Sequence, residues 1–210
     1  MSEHKKLELT NLITWSNIKL GGKIPQLNMP MGASCRNDAP CFLDGTCYCT
    51  KGNMAFPNVR NSHMNKMRLY LADPEAFFEQ VDRELRIVEP KYFRWHSSGD
   101  IVDIKYLSLM CWLARRHKGT RFLCFTKKFE MVNTYFDGHK KPENLVVVLS
   151  NWGNWRVVNP HNFPESFVDF GRGDEGIPKF VYECPGRCEE CDGQHCWHLQ
   201  KGQSVAFHKH

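Results

Sequence analysis

Ten cysteines in 210 residues are the side chains most able to do chemistry here, and eight of them stand in two short stretches. Cys184, Cys188, Cys191 and Cys196 fall within thirteen residues, spaced Cys-x3-Cys-x2-Cys-x4-Cys. Three thiolates on one tight loop can hold three corners of a cubane iron–sulfur cluster, and Cys196 is placed to take the fourth iron. Pro185 and Gly186 let that loop turn, and Arg187 sets a cation beside the thiolates, which favours their ionised form. His195 and His198 are alternative ligands. The same four cysteines also make a tetrahedral zinc set, although zinc sites usually pair Cys-x2-Cys arms across a longer gap. A thiol or disulfide pair is the third reading.

The other stretch, Cys35, Cys41, Cys47 and Cys49, matches no standard zinc spacing. It reads as a second metal site, as a source of extra ligands for the first, or as structural thiols in a loop poor in core residues. Cys111 and Cys124 have apolar neighbours and read as ordinary buried cysteines. The chain opens Met1-Ser2-Glu3-His4-Lys5-Lys6, with no apolar leader, so a cytoplasmic, reducing setting is expected, where clustered thiols hold metal more often than they form disulfides.

Elements must position these groups, and length and composition bound them. The length favours a single domain over residues 1–210. A hydrophobic content of 41% with 24% charged residues excludes disordered, collagenous and coiled-coil classes, and no apolar run reaches the ~20 residues of a membrane span. A net charge of +5 is too mild to name a partner. Residues 21–62 are rich in Gly, Pro, Asn and Cys and read as an irregular, Cys-rich loop. Asp73 and Pro74 then start a helix with an apolar stripe of Phe77, Phe78, Val81 and Leu85, stopped at Pro90.

Over 91–183 strands and helices alternate. Strands are expected at 92–96, 122–126, 145–149 and 179–183, helices at 103–117 and 129–135. The segment 184–210 adds the second cysteine set and a last strand at 204–207. The pattern predicts an α/β fold, a partial barrel or curved open parallel sheet of βα units. Such sheets bind ligands beyond the carboxyl ends of their strands. There the sequence places Arg94, His96, Ser98, Asp100 and Lys127, candidates for a substrate or cofactor pocket, with Trp152 and Trp155 as walls. His96 with Asp100 suits acid–base chemistry, while Ser98 or Asp100 could instead cap the helix near Asp103.

Residues 111–141 carry Arg115, Arg116, Lys118, Arg121, Lys127, Lys128, Lys140 and Lys141 against Glu130 and Asp137, a stretch able to meet phosphates and stacked bases. His208 and His210 read as a tail or as further ligands. No Walker loop, His-Glu-x-x-His or Gly-x-Ser-x-Gly motif is present.

Three stretches in order, Cys47-Tyr48-Cys49, Phe93-Arg94-Trp95-His96-Ser97-Ser98-Gly99-Asp100, and Cys184, Cys188 and Cys191 followed by Val205-Ala206-Phe207-His208, resemble the bacteriophage gene product 88 family. The resemblance implies a phage or prophage origin, hence a host-cell cytoplasm, over the chain from about residue 30 onward. A more distant likeness is to the radical S-adenosylmethionine enzymes, which share Cys-x3-Cys-x2-Cys and a partial βα barrel. It implies a four-iron cluster that chelates S-adenosylmethionine, with Ser98-Gly99-Asp100 as the turn binding the cofactor's amino group. That family carries its cysteines after the first strand and an aromatic residue before the third cysteine; here the motif comes late and Glu190 stands in that place.

The expectation is an iron–sulfur protein with a 4Fe-4S cluster on Cys184, Cys188, Cys191 and Cys196. It serves a redox or radical role at the strand-end rim, toward a small molecule or redox partner. The alternative is a zinc-stabilised module without catalysis that binds nucleic acid through 111–141.

Overall fold

The computed structural model describes residues 11–15, 17–153, 155, 157–171 and 176–208. The opening hexapeptide and His210, both used above, lie outside them. Seven strands form one open sheet: β1 (Gln26–Leu27), β2 (Tyr92–Trp95), β3 (Arg121–Thr126), β4 (Leu145–Ser150), β5 (Glu165–Asp169), β6 (Tyr182–Glu183) and β7 (Ser204–His208). Their spatial order is β1-β2-β3-β4-β5-β7-β6, and every pair is parallel. The expected α/β class and open parallel sheet are therefore what the chain adopts. Five helices join it: α1 (Pro40–Leu43), α2 (Pro57–Ala72), α3 (Pro74–Val88), α4 (Ile104–Arg116) and α5 (Phe129–Gly138).

Local chemistry explains the elements that were legible. Asp73 accepts a hydrogen bond from Ala76 N at 2.9 Å, Pro74 stands at the first position, and Phe77, Phe78, Val81 and Leu85 are buried. Glu89 then takes a left-handed conformation and Pro90 ends the helix. Asp103, rather than Ser98 or Asp100, caps α4, accepting from Tyr106 N at 2.8 Å. Other elements differ from expectation. β1 lies inside the stretch read as irregular, α2 begins within it and runs on to Ala72, β5 was not anticipated, and the strand expected at 179–183 shrinks to Tyr182–Glu183.

The sheet divides two cores. Alternate residues Phe93, Trp95, Phe122, Cys124, Val147 and Leu149 face the helices α2–α5. On the other face Leu123, Val146, Val148 and Val205 meet no α-helix but Leu20 and Trp197 from two short 3-10 helices (Ile18–Leu20 and Asp192–His198), with Ile24 and Leu199 beside them. β4 is buried throughout its length, so its Leu-Val-Val-Val-Leu-Ser run reads as continuous rather than alternating. Each fully buried large side chain contributes roughly 1.5–3 kcal/mol to this layering. Among the described residues no helix is long and apolar enough to cross a membrane.

Candidate functional site

All ten cysteines are free thiols, and the structure gathers the eight clustered ones into two separate sets. The C-terminal loop lies across the face without α-helices. Cys184 N donates to Ala206 O on β7 at 2.9 Å, and Cys188 N to Lys19 O at 2.9 Å. Cys184, Cys188 and Cys196 pack on the apolar cluster around Leu123 and Val205. Cys191 Sγ accepts from His195 N at 3.4 Å and meets Tyr182 OH at 3.2 Å. His195 stacks on Tyr182 at 3.8 Å, and His198 turns toward Tyr92 OH at 3.1 Å, so both histidines have other partners. Burial pushes the Cys188 thiol up and the Cys196 thiol up to about 12, and in both the Arg94 guanidinium pulls the other way.

Two cations thus face this set. Arg94 projects from β2 over the Phe125 ring at 4.2 Å, and its buried Nε has no hydrogen-bond partner. Lys19 lies over the Phe207 ring at 4.7 Å; burial lowers its pKa, while Cys184, Cys188 and Cys196 act to raise it. Sequence reasoning placed Arg94 in a strand-end pocket and overlooked Lys19 entirely. No local signal links Lys19 to cysteines so distant in the chain.

The N-terminal set occupies the rim instead. β1 ends at Leu27, and the segment after it carries Cys35, Cys41, Cys47 and Cys49 over the carboxyl ends of β2 and β3. Tyr48 OH donates to Ser97 O, and Cys49 Sγ approaches the same carbonyl at 3.8 Å. The Tyr48 ring is 48% exposed while its hydroxyl reaches inward. Met29 N donates to Ser98 O at 3.0 Å, Ser98 N to Asn28 Oδ1 at 3.1 Å, and Asp100 N to Ser34 Oγ at 3.0 Å. Gly99, at φ 78°, closes this junction: a β-carbon there would stand 2.5 Å from Met29 O.

The thiols act on one another: Cys47 pushes the Cys41 thiol up, and Cys35 is raised a little further by Cys47 and Cys41. Cys47 also holds the Cys49 thiol below its ordinary value against burial. Burial, reinforced by Asp100, pushes Cys35 up to about 11. Lys127 acts on Cys41 from the rim, its ammonium lying over Trp152 at 5.0 Å. Trp152 and Trp155 do wall this region: Trp152 Nε1 donates to Asp44 Oδ2 at 3.2 Å, and Arg36 lies over the Trp155 ring at 5.3 Å.

Of the other rim residues, His96 and Asp100 are structural in their contacts. His96 is 3% exposed, its Nε2 3.2 Å from Tyr106 OH and its Nδ1 3.8 Å from Cys124 Sγ. Burial, with Arg94 and Lys128 nearby, pushes it down to about 3, so the ring stays neutral at ordinary pH. The Cys124 thiol is driven up by burial, so this pair is no thiolate–imidazolium dyad. Asp100 accepts from Thr126 Oγ1 at 2.6 Å, Lys127 N at 2.9 Å and Ile101 N at 2.7 Å, tying the β2 and β3 ends together. Burial raises its carboxyl above the usual range despite those bonds.

Several side chains of the basic stretch have partners within the fold. Arg115 donates to Lys140 O, Arg116 pairs with Asp82, Lys128 donates to Val102 O, and Lys141 to Leu145 O. Surface concavities lie away from the thiols, one around the Asp82, Arg86, Arg116 and His117 ion pairs and one beside Lys66. Among the described residues no group of three or more His, Cys, Asp or Glu side chains is arranged to hold a metal ion as it stands. The thiols are close neighbours, not preset ligand shells.

Fold and site together define a parallel α/β protein that carries one cysteine loop on its strand-end rim and another on the face without α-helices. The chain belongs to the gene product 88 family, whose model matches residues 3–172. That match takes in the rim and the N-terminal thiols. It stops short of Cys184, so the C-terminal part of the resemblance drawn from the sequence falls outside it. No curated protein and no solved structure matches the chain.

Proposed function

We propose that this phage-family protein binds a 4Fe-4S cluster through Cys184, Cys188, Cys191 and Cys196, and uses it in a redox or radical role at the strand-end rim. The carrying observation is that Cys188 N is bonded to Lys19 O at 2.9 Å and that the Lys19 and Arg94 cations act on Cys188 and Cys196 on an otherwise apolar face. Arg94 is half-buried and its Nε has no hydrogen-bond partner, so an anion beside it is stabilising. Neutral thiols do not supply that anion; a cluster held by four thiolates does. Zinc on four thiolates is anionic as well, but four cysteines within one thirteen-residue loop suit the compact cubane better than zinc's paired arms. Arg94 lies on β2 two residues before His96, which connects the loop to the rim where a substrate would sit.

The test is anaerobic purification with iron, sulfide and zinc analysis of the full chain and of a variant with Cys184, Cys188, Cys191 and Cys196 replaced by Ser. The variant should lose about four irons and about four sulfides per chain relative to the parent. Stoichiometric zinc without sulfide, or an unchanged iron content in the variant, overturns the reading. Adding S-adenosylmethionine to the reduced protein divides the two roles. A changed cluster resonance supports radical chemistry, and an unchanged one supports redox alone.

A further inference from the structure

We propose that the groove where α2 passes Asn11 is a binding site for an oxyanion, a phosphate or carboxylate group on a small polar molecule, balanced by the Lys66 ammonium at its base. The site is independent of either cysteine loop. Its first support is Lys66 itself, which is 4% exposed and whose Nζ is buried without a hydrogen-bond partner. Lysine is almost never fully buried unless it is paired, because a buried charge is costly without a counter-charge. The carboxylate that acts on it, Glu84, is engaged elsewhere: it accepts from Leu12 N at 2.9 Å, Ile13 N at 2.8 Å and Gln80 Nε2 at 2.9 Å. His63, one turn earlier on α2, is buried too, and burial holds its ring neutral down to about 4. Burial lowers the Lys66 amine to about 8, so it still carries its proton at pH 7. Among the described residues, nothing gives this cation a bonded anion.

The second support is the groove. Asn58, Asn61, Ser62, Asn65 and Lys66 follow the three- and four-residue steps that place side chains on one face of a helix, and with Asn11 they line a concavity of about 280 Å³. The asparagines and the serine are exposed while Lys66 is buried, so amides and a hydroxyl stand at the mouth and an ammonium at the base. Amide nitrogens and hydroxyls donate to an oxyanion, and an ammonium adds the stronger, charge-assisted bond. Asn65 Oδ1 already accepts from Arg68 Nη1 at 3.2 Å, which leaves its amide hydrogens to donate. Among the described residues no Asp or Glu lines the groove, so no carboxylate there repels an anion. The size suits a small ligand rather than a drug-sized one. A site here also accounts for α2 itself, a helix whose buried residues are His63, Lys66 and Tyr70 rather than an apolar stripe.

The experiment titrates the full chain with inorganic phosphate and, separately, with acetate, at ionic strength matched with chloride. Binding is read by calorimetry and by brief reductive methylation with each lysine mapped. Either anion should slow the methylation of Lys66 several-fold, while the exposed Lys51 and Lys118 keep their rates. Protection by phosphate alone assigns the site to a phosphorylated ligand, and protection by acetate alone to a carboxylate. Lys66→Met puts an apolar side chain of similar reach in the buried position and keeps the fold, yet should weaken binding by about tenfold or more. Asn61→Asp changes an exposed residue, leaves Lys66 in place and should weaken binding by a similar factor through like charge. The methylation map needs no variant, so it stands even where a substitution disturbs α2. Binding of neither anion, equal slowing of all lysines, or binding unchanged in either variant overturns the site.

Discussion

The two cysteine loops have the same number of thiols but are held in opposite ways. The C-terminal loop lies on a finished apolar surface, with Trp197 and Leu199 buried beside it and a backbone hydrogen bond from Cys184 N to β7. It would keep much of its shape without metal. The N-terminal loop has almost no apolar interior and is tied down by hydrogen bonds to the turn after β2. One site is built on packing and charged by Arg94 and Lys19. The other is built on backbone fit around Gly99. The difference teaches that an equal cysteine count does not mean an equal demand for metal: the loop with less core has more to gain from a ligand.

The sharpest way to break this contrast is Gly99→Ala. At φ 78° an added β-carbon meets Met29 O and Ser34 Oγ, and backbone cannot yield as a flexible side chain would. Strain and overpacking together should cost about 3–5 kcal/mol in urea unfolding. The rim thiols should alkylate faster, while those of 184–196 keep their rate. A loss below about 1 kcal/mol would mean that the rim loop does not depend on this junction.

Next in size is Arg94→Met, which keeps the length of the side chain over Phe125 and removes the charge. In metal-free protein the half-buried guanidinium leaves its Nε without a partner, so the variant should be more stable by about 1 kcal/mol. In metal-loaded protein the sign should reverse, with iron lost faster from the C-terminal loop. The same sign in both forms would remove Arg94 as the counter-charge and weaken the cluster assignment with it.

What the sequence disclosed follows the same divide between local and distant causes. α3 was legible because its cap, its proline and its stripe lie within one stretch, and β3 and β4 because buried parallel strands are short apolar runs. α2 was not, because its buried residues are His63, Lys66 and Tyr70, a mixed set with no apolar stripe. β1 is two residues long, and β5, Glu165-Ser-Phe-Val-Asp, is framed by polar ends. At the site, spacing pointed to a shared metal for Cys184, Cys188, Cys191 and Cys196 and left Cys35, Cys41, Cys47 and Cys49 between a second site, extra ligands and structural thiols. It did not predict that Arg94 and Lys19 would face one set, or that the other would sit on the rim. Those contacts join residues far apart in the chain, and with β1 unseen the loop after it had no address on the sheet.

The smallest effect concerns the floor that the rim loop stands on, and it is read from pH. His96 sits between Tyr106 OH, the Cys124 thiol, Arg94 and Lys128, and burial holds its ring neutral down to about 3. In the unfolded chain the same ring takes a proton near pH 6.5. Between those values the unfolded state binds the extra proton, so stability rises with pH. The contribution is complete above about 6.5 and is lost as pH falls toward 3, at about 1.4 kcal/mol per pH unit. His63, pushed down to about 4 by burial, adds a slope of the same sign. His96→Asn tolerates the left-handed backbone at this position, where φ is 53°, and removes one titrating group. Urea midpoints between pH 4 and 6 should therefore flatten by about one proton's worth, with the His63 share left in place. Such flattening in metal-free and metal-loaded protein alike would make the floor a property of the helix-side core, independent of either cysteine loop. Flattening in the metal-free form alone would mean that bound metal reaches down to His96.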